Sequence, residues 1–222
     1  MKVQEYLPFW KKLTKEQQNR FEYAMRERKA AKGTILHNGS EDCVGLFIVQ
    51  QGQLRVYTVS EEGKEITLYR LFERDICLFS ASCIMSGIEF DLVVSAETDA
   101  ILYHIPPKVY QELMRESAAV ANFTNELMAS RFSNVMWLFD QILYKRLDSR
   151  LAAFLVEEME LLETKELKIT HEMIAQHLGS AREVISRMLK YFQNEQIVKL
   201  GRNSILILDE KKLMEAAKES LR

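Results

Sequence analysis

The stretch THEMIAQHLGSAREVISRMLKYF (residues 170–192) decides the fold of the C-terminal part of this chain. Its apolar residues recur at helical spacing on both sides of Gly179, and glycine suits a tight turn that needs a positive φ. Ala175 is small where two helices would cross closely. The pattern predicts a helix-turn-helix in which two short helices bury one shared face. The residues expected on that face are Ile174, Leu178, Ile185 and Met188.

The flanking sequence extends this motif to a winged helix-turn-helix. RLAAFLVEEMELL (150–162) has the pattern of an amphipathic helix that precedes it. After it, IVKL (197–200) and SILIL (204–208) predict two strands joined by the turn GRN (201–203). Asp209 is expected to cap a last helix.

The second helix of the motif has an apolar inner face and a polar outer face near its N-terminus. A recognition helix presents that end to base edges in the major groove. Arg187 suits a bidentate contact to guanine O6 and N7, Glu183 suits cytosine N4, and Ser186 is short enough to allow close approach. The residues predicted to contact DNA are Arg182, Glu183, Ser186, Arg187 and Lys190 of this helix, with Ser180 before it and Arg202 in the wing.

Two alternatives stay open for these residues. Ser180-x-x-Glu183 is itself a capping box, in which case Glu183 only caps its helix. Arg182 is also suited to a phosphate contact that carries no sequence information.

Composition limits the other classes of protein. The 222 residues are 47% hydrophobic with a formal charge of −2, so no global charge attracts nucleic acid or membrane. The longest uncharged stretch, Ile76 to Ile88, is shorter than the roughly 20 apolar residues that span a bilayer, and MKVQEYLPFWKKLT is not a secretory signal. Three cysteines without a Cys-x-x-Cys pair are neither a disulfide framework nor a structural zinc site. We expect a cytoplasmic protein with no metal.

The N-terminal part has the composition of an antiparallel β domain. Six of the eight glycines lie between Gly33 and Gly87, where they separate short β-branched and aromatic runs. We predict an antiparallel β-roll or jelly roll over residues 1–106. A helix from Thr14 to about Arg28 precedes the strands and opens with the capping box Thr14-x-x-Gln17.

A long helix is predicted between these two parts, over residues 107–143, with a possible break near Glu116 and Ser117. Its C-terminal half carries apolar residues at alternating spacings of 4 and 3, which is a heptad seam that a second copy of the chain would bury. The alternative is a helix packed on its own β domain. The seam residues are Met128, Phe132, Val135, Phe139 and Ile142. The predicted fold class is therefore α+β, with a winged helix-turn-helix over residues 144–222.

Taken together, the chain resembles the Crp/Fnr family of bacterial transcription regulators. The resemblance rests on the glycine-spaced segment 33–75, on the seam helix and on RE-x-x-SR in the second helix of the motif. It implies a homodimer on an inverted repeat, base contacts by Glu183 and Arg187, and RNA polymerase as a partner. Arg182 resembles the arginine of the cyclic-AMP-responsive branch and Ser186 the serine of the oxygen-responsive branch. The half-site is therefore expected to lie between a TGTGA-like and a TTGA-like core.

The same resemblance argues against two known effectors. Leu78-Phe79 and Phe90-Asp91 stand where the cyclic-AMP branch has its Gly-Glu and Arg-Ser phosphate partners, and Val135 and Met136 stand where its adenine contacts lie. Three cysteines, the first at Cys43, do not supply the four thiolates of the oxygen-sensing cluster. Haem ligation by His37 or His104 is less expected than a structural role.

The roll is expected to have an apolar interior that binds an unidentified small-molecule effector. The residues expected near this effector are Cys77, Phe79, Cys83, Phe90, Val135 and Met136. A redox switch between Cys77 and Cys83 is the alternative, although no basic neighbour in the sequence would activate either thiol.

Two other classes of function compete with this interpretation. A cupin metalloenzyme would need a His-x-His pair, which the sequence lacks, so we do not expect an enzyme. A dimeric ligand-binding module without DNA activity would keep the roll and the seam and leave Arg182 and Arg187 without a role.

Overall fold

The computed structural model describes residues 4, 6–39, 44–78, 80 and 91–221. The helices are α1 Lys15–Ala24, α2 Pro107–Glu116, α3 Ala118–Tyr144, α4 Leu147–Leu162, α5 His171–Leu178, α6 Arg182–Asn194 and α7 Glu210–Ala217. The strands are β1 Arg26–Ala30, β2 Ile35–Asn38, β3 Leu46–Gln51, β4 Leu54–Val59, β5 Glu65–Leu71, β6 Ile76–Cys77, β7 Val93–Ala96, β8 Ala100–Ile105, β9 Glu166–Leu167, β10 Val198–Gly201 and β11 Ser204–Ile207. The α+β class predicted from the sequence is confirmed.

Packing divides the chain into two compact units. One comprises Met1–Val59 with Leu68–Val135, and the other comprises Ser60–Thr67 with Met136–Arg222. The sequence-based boundaries at residues 106 and 143 follow changes of secondary structure, whereas packing divides α3 itself. Within the part of the chain that the structure describes, no helix has both the length and the hydropathy needed to cross a membrane.

The described strands of the N-terminal unit form two antiparallel sheets, as the glycine-spaced runs predict. Their orders are β1-β8-β3-β6 and β2-β7-β4-β5. Phe47, Leu54, Val94 and Leu102 are fully buried and belong to one hydrophobic cluster. Gly52 joins β3 to β4 at a φ of 88°, and a Cβ there would collide with the carbonyl oxygen of Asp99, so only glycine fits this turn.

The first helix begins as predicted and ends earlier than predicted. Thr14 caps α1, and Thr14 and Gln17 form both hydrogen bonds of the capping box. The sequence predicted helix to about Arg28, which is wrong. Arg26–Ala30 is strand β1, paired antiparallel with β8. The reason is a tertiary contact. Backbone hydrogen bonds to β8, a strand some 75 residues away, replace the helical hydrogen bonds that this segment would make on its own.

The predicted break in the long helix is confirmed at Ser117. Its extended backbone, with φ −129° and ψ 111°, separates α2 from the 27-residue α3. Tyr110 and Leu113 of α2 and Val120 of α3 are fully buried in a second hydrophobic cluster, which also holds Phe21. The break lets two short helical segments bury their apolar faces against one core.

The C-terminal unit contains the predicted winged helix-turn-helix. Gly179 ends α5 in the left-handed region at a φ of 65°, and β10 and β11 form the wing on either side of a turn at Arg202 and Asn203. Asp209 caps α7 by accepting a hydrogen bond from the backbone N–H of Lys212. The sequence missed the two-residue strand β9, which pairs with β11. A strand of two residues has no recognisable sequence pattern. It forms because its backbone pairs with β11.

Candidate nucleic-acid interface

The inner faces of α5 and α6 pack against each other through apolar side chains. Ile174, Ile185 and Leu189 are 0% exposed, and Phe192 is also buried. Arg150 of α4 donates a hydrogen bond of 2.8 Å from Nη2 to the carbonyl oxygen of Leu178, which closes the C-terminal end of α5. Helix α4 thus anchors the pair α5 and α6, while the outer face of α6 is exposed to solvent.

That outer face carries the residues predicted to contact DNA. Arg182, Glu183, Arg187 and Lys190 are all exposed along one side of α6. The Nε of Arg187 makes only a long contact of 3.4 Å with the backbone oxygen of Glu183, its neighbour one turn earlier. Three basic side chains and one acidic side chain therefore stand on a rigid helix with no covering element among the described residues.

The capping alternative for Glu183 is wrong. The N-cap of α6 is Ala181, one residue after Ser180, and it makes no side-chain hydrogen bond to the helix. Ser180 instead lies in the turn and donates its backbone N–H to the carbonyl oxygen of Ala175 at 2.9 Å. A helix whose first N–H groups have no side-chain cap offers them to an anion.

Ser186 is in a different setting from the other predicted residues. It is half-buried, and its Oγ lies 2.8 Å from Nδ1 of His171, the first residue of α5. Burial, and next the positive charge of Arg182, lower the pKa of His171 from its ordinary value. Sequence reasoning missed His171, since its partner lies 15 residues away on another helix.

A groove of about 470 Å³ lies beside this pair. It brings Arg182 together with Arg202 of the wing, while Arg187 and Lys190 do not line it. The other polar side chains that line it come from the start of α5 and from the wing: Thr170, His171, Glu172, Asn203 and Ser204. Two arginines and one glutamate thus line the same groove.

The residues predicted to form the effector pocket are only partly described. Phe79, Cys83 and Phe90 lie outside the described residues, as does Cys43. Cys77 is buried in β6, Val135 is half-buried and Met136 is exposed on α3. Among the described residues, no group of three or more His, Cys, Asp or Glu could hold a metal ion.

A buried arginine that the sequence did not reveal lies next to Cys77. Arg131 of α3 is 8% exposed, and its guanidinium carbon lies 4.9 Å from the centre of the Tyr69 ring. Its Nη2 lies 3.6 Å from Asp75 Oδ1 and 3.5 Å from the carbonyl oxygen of Ile76, while its Nε has no hydrogen-bond partner. Burial raises the pKa of the Tyr69 phenol well above its usual range. The region is therefore less apolar than the sequence predicts.

The predicted seam residues follow the length of α3. Phe132, Phe139 and Ile142 are 67%, 53% and 45% exposed, which is unusual for large apolar side chains. Val135 is half-buried. Met128 packs against both hydrophobic clusters of the N-terminal unit.

Two family models match the chain. Residues 27–117 match the cyclic nucleotide-binding domain, and residues 149–216 match the Crp-like helix-turn-helix domain. A crystal structure from Eubacterium rectale that is assigned to the Crp/Fnr family of transcriptional regulators is 54% identical, with a TM-score of 0.94. The match covers 96% of this chain and 99% of that one.

Curated proteins match over most of their length. The cAMP-activated global transcriptional regulator CRP of Haemophilus influenzae is 25% identical over 183 residues, which cover 80% of this chain and 81% of that protein. The fumarate and nitrate reduction regulatory protein of Vibrio cholerae is 26% identical over 200 residues, with coverages of 86% and 78%.

Proposed function

This chain belongs to the Crp/Fnr family of transcription regulators, and we propose that it binds an inverted-repeat operator as a homodimer under the control of a small molecule bound in the roll. Proteins of this family bind DNA, act as dimers and are not enzymes. A chromosomal regulator of this kind works in the bacterial cytoplasm, with RNA polymerase as a further partner.

The exposed face of α6 is the observation that carries the DNA-reading proposal. Arg187 and Glu183 stand one turn apart on this face, and the opposite face is anchored in the core through Ile185 and Leu189. A side chain that reads a base edge needs this combination of exposure and a rigid base. In the proposed complex Arg187 pairs with guanine and Glu183 accepts from cytosine N4.

The groove beside α6 supports a separate role for Arg182 and Arg202. Arg182 of the helix and Arg202 of the wing line one groove, and two arginines there suit one backbone phosphate, which fixes register without reading sequence. The uncapped start of α6 points to the same use. Arg182, which the sequence left between base and phosphate, is thus assigned to phosphate.

The exposed apolar face of α3 supports the homodimer. Phe132, Phe139 and Ile142 expose about half or more of their surface in the single chain, and the heptad spacing places them in one stripe. A second copy would bury them. Two recognition helices then read two half-sites about one turn of DNA apart.

The effector is proposed to bind near Cys77 and Arg131. Arg131 is buried with an unpartnered Nε, so an acidic group on the effector would supply the missing hydrogen bond. The apolar surroundings expected from the sequence favour a molecule that also has substantial apolar surface. Cyclic AMP fits less well, because Leu78-Phe79 and Phe90-Asp91 stand where the cyclic-AMP branch has its phosphate partners.

In vitro selection from a randomised duplex pool tests the DNA-reading proposal. The full-length protein is expected to enrich an imperfect inverted repeat with G·C steps in each half-site. A double Arg182→Ala, Arg187→Ala variant should enrich no sequence while it keeps the wild-type circular dichroism spectrum. If the wild type and this variant behave alike, the DNA-reading role assigned to α6 is wrong.

A further inference from the structure

The hydrogen bond between His171 and Ser186 restricts what Ser186 can offer to a base. A serine hydroxyl has one proton and two lone pairs, so a free Ser186 would suit any base edge. Its Oγ lies 2.8 Å from Nδ1 of His171, and this contact fixes either the proton or a lone pair. Which of the two remains for DNA depends on whether Nδ1 donates or accepts.

The surroundings of His171 decide the charge state of the ring. The charged groups that face it are Glu172 on α5, Arg182 on α6 and Arg202 in the wing, which line the same groove. Burial and Arg182 lower its pKa, so the ring is neutral at pH 7 to 8. A neutral imidazole has one donor and one acceptor nitrogen, and the partner of one nitrogen sets the role of the other.

In the proposed complex, a backbone phosphate in the groove that His171 lines decides the tautomer. Phosphate oxygens only accept hydrogen bonds, so a ring that contacts a backbone phosphate through Nε2 keeps its proton there. Nδ1 is then the acceptor, and Ser186 donates its hydroxyl proton to it. The lone pairs of Ser186 are left facing the base.

We propose that His171 is a positioning residue that holds the Ser186 hydroxyl as a hydrogen-bond acceptor toward DNA, so that Ser186 selects a base edge with an N–H donor. Adenine N6 and cytosine N4 are the donors in the major groove. The inference rests on the proposed function, because it takes Ser186 as a base-contacting residue. It makes sequence preference at one position depend on a residue of the other helix.

NMR of the full-length protein labelled with ¹⁵N-histidine and bound to the selected duplex tests the tautomer. At pH 8 we expect the His171 ring to carry its proton on Nε2, with Nδ1 unprotonated and hydrogen-bonded. Ser186→Ala removes a donor that favours the neutral ring, so the pKa of His171 should rise toward its ordinary value. A ring protonated on Nδ1 at pH 8 would overturn the proposal.

Selection from randomised duplex DNA tests the consequence for sequence preference. At the position where Ser186→Ala loses selectivity, the wild type should prefer a donor base by about 2- to 12-fold at pH 8, the equivalent of one neutral hydrogen bond. His171→Ala should lose that preference. His171→Asn places a non-titrating amide oxygen near the Nδ1 position and should keep the preference at pH 8 and at lower pH. The wild type should lose it at a pH below the His171 pKa measured by the NMR titration, where a protonated ring donates to Oγ.

Arg202→Ala is the control, since it removes a charge from the same groove without touching the pair. It should weaken binding to all sequences and leave the base preference unchanged. If the wild type enriches no sequence, the proposed DNA-binding function fails and this inference fails with it. If the wild type and His171→Ala enrich one site with the same base distribution, only the inference about His171 fails.

Discussion

Arg150 of α4 donates a hydrogen bond of 2.8 Å to the carbonyl oxygen of Leu178, the last residue of α5. The last carbonyl groups of a helix have no partner within it, so a side chain from another element satisfies one of them here. Burial lowers the pKa of Arg150 from its ordinary value, yet a guanidinium stays charged at any physiological pH. The first helix of the DNA-binding motif is thus tied to α4 by a charge-assisted bond.

Loss of this bond should destabilise the C-terminal unit. Arg150→Ala is expected to lower the free energy of unfolding by about 1.5–3 kcal/mol, the usual contribution of a hydrogen bond with one charged partner. Urea unfolding monitored by circular dichroism measures it. Arg146→Ala is the matched control, because Arg146 is the N-cap residue of the same helix and pairs with Asp148 at the surface. Equal losses in the two variants would contradict a special role for Arg150.

Arg187 and Arg202 should differ in the kind of binding they support. Arg187→Ala is expected to cost about 1–3 kcal/mol on the selected operator and little on random duplex, because it reads a base. Arg202→Ala should weaken both DNAs alike and reduce the salt dependence of binding by about one unit. Fluorescence anisotropy at several salt concentrations separates the two. Equal weakening of both DNAs by Arg187→Ala would reassign it to phosphate.

A charge on the apolar stripe of α3 should prevent dimer formation. Phe139 is 53% exposed in the single chain, so Phe139→Glu leaves the protomer intact and places a carboxylate in the proposed interface. Light scattering is expected to give a monomer, and operator affinity should fall with the loss of one half-site. Ser130→Glu, at an exposed position outside the heptad seam, should remain a dimer. A dimeric Phe139→Glu protein would place the interface elsewhere.

Cyclic AMP should leave the protein unchanged. The melting temperature and the operator affinity are expected to stay constant up to millimolar cyclic AMP. A ligand that bound the folded state at 100 times its Kd would instead add about 2.7 kcal/mol of stability. The cAMP-activated relative from Haemophilus influenzae serves as the positive control. Saturable stabilisation at micromolar cyclic AMP, with tighter operator binding, would contradict this prediction and identify cyclic AMP as the effector.

Tyr110 should contribute to unfolding at alkaline pH. Its hydroxyl lies 2.8 Å from Thr124 Oγ1, and burial raises its pKa to about 12. In the unfolded chain the phenol ionises near pH 10, so the folded state loses stability as pH rises from 10 to 12. The loss is about 3 kcal/mol for two pKa units. Tyr110→Phe should lose stability less steeply in this range, whereas Tyr23→Phe, at an exposed position, should follow the wild type.

The sequence alone was sufficient to predict where certain helices begin and where the chain turns between two helices. Thr14 and Asp209 cap their helices, and Gly179 turns between the helices of the motif as predicted. Each of these depends on hydrogen bonds or dihedral angles within a few residues, which a linear pattern records. The exposed face of α6 follows for the same reason, because its apolar residues repeat with the helical period.

Contacts between distant residues were decided only by the tertiary structure. The segment after α1 became β1 because β8 pairs with it, and Arg131 became a buried charge because α3 packs it against Tyr69 and Asp75. His171 and Ser186 meet because α5 crosses α6. The sequence determined the helices, the turn and the polar face, since these depend on near neighbours. Packing decided which polar groups on that framework acquire partners, because their partners are brought close only by folding.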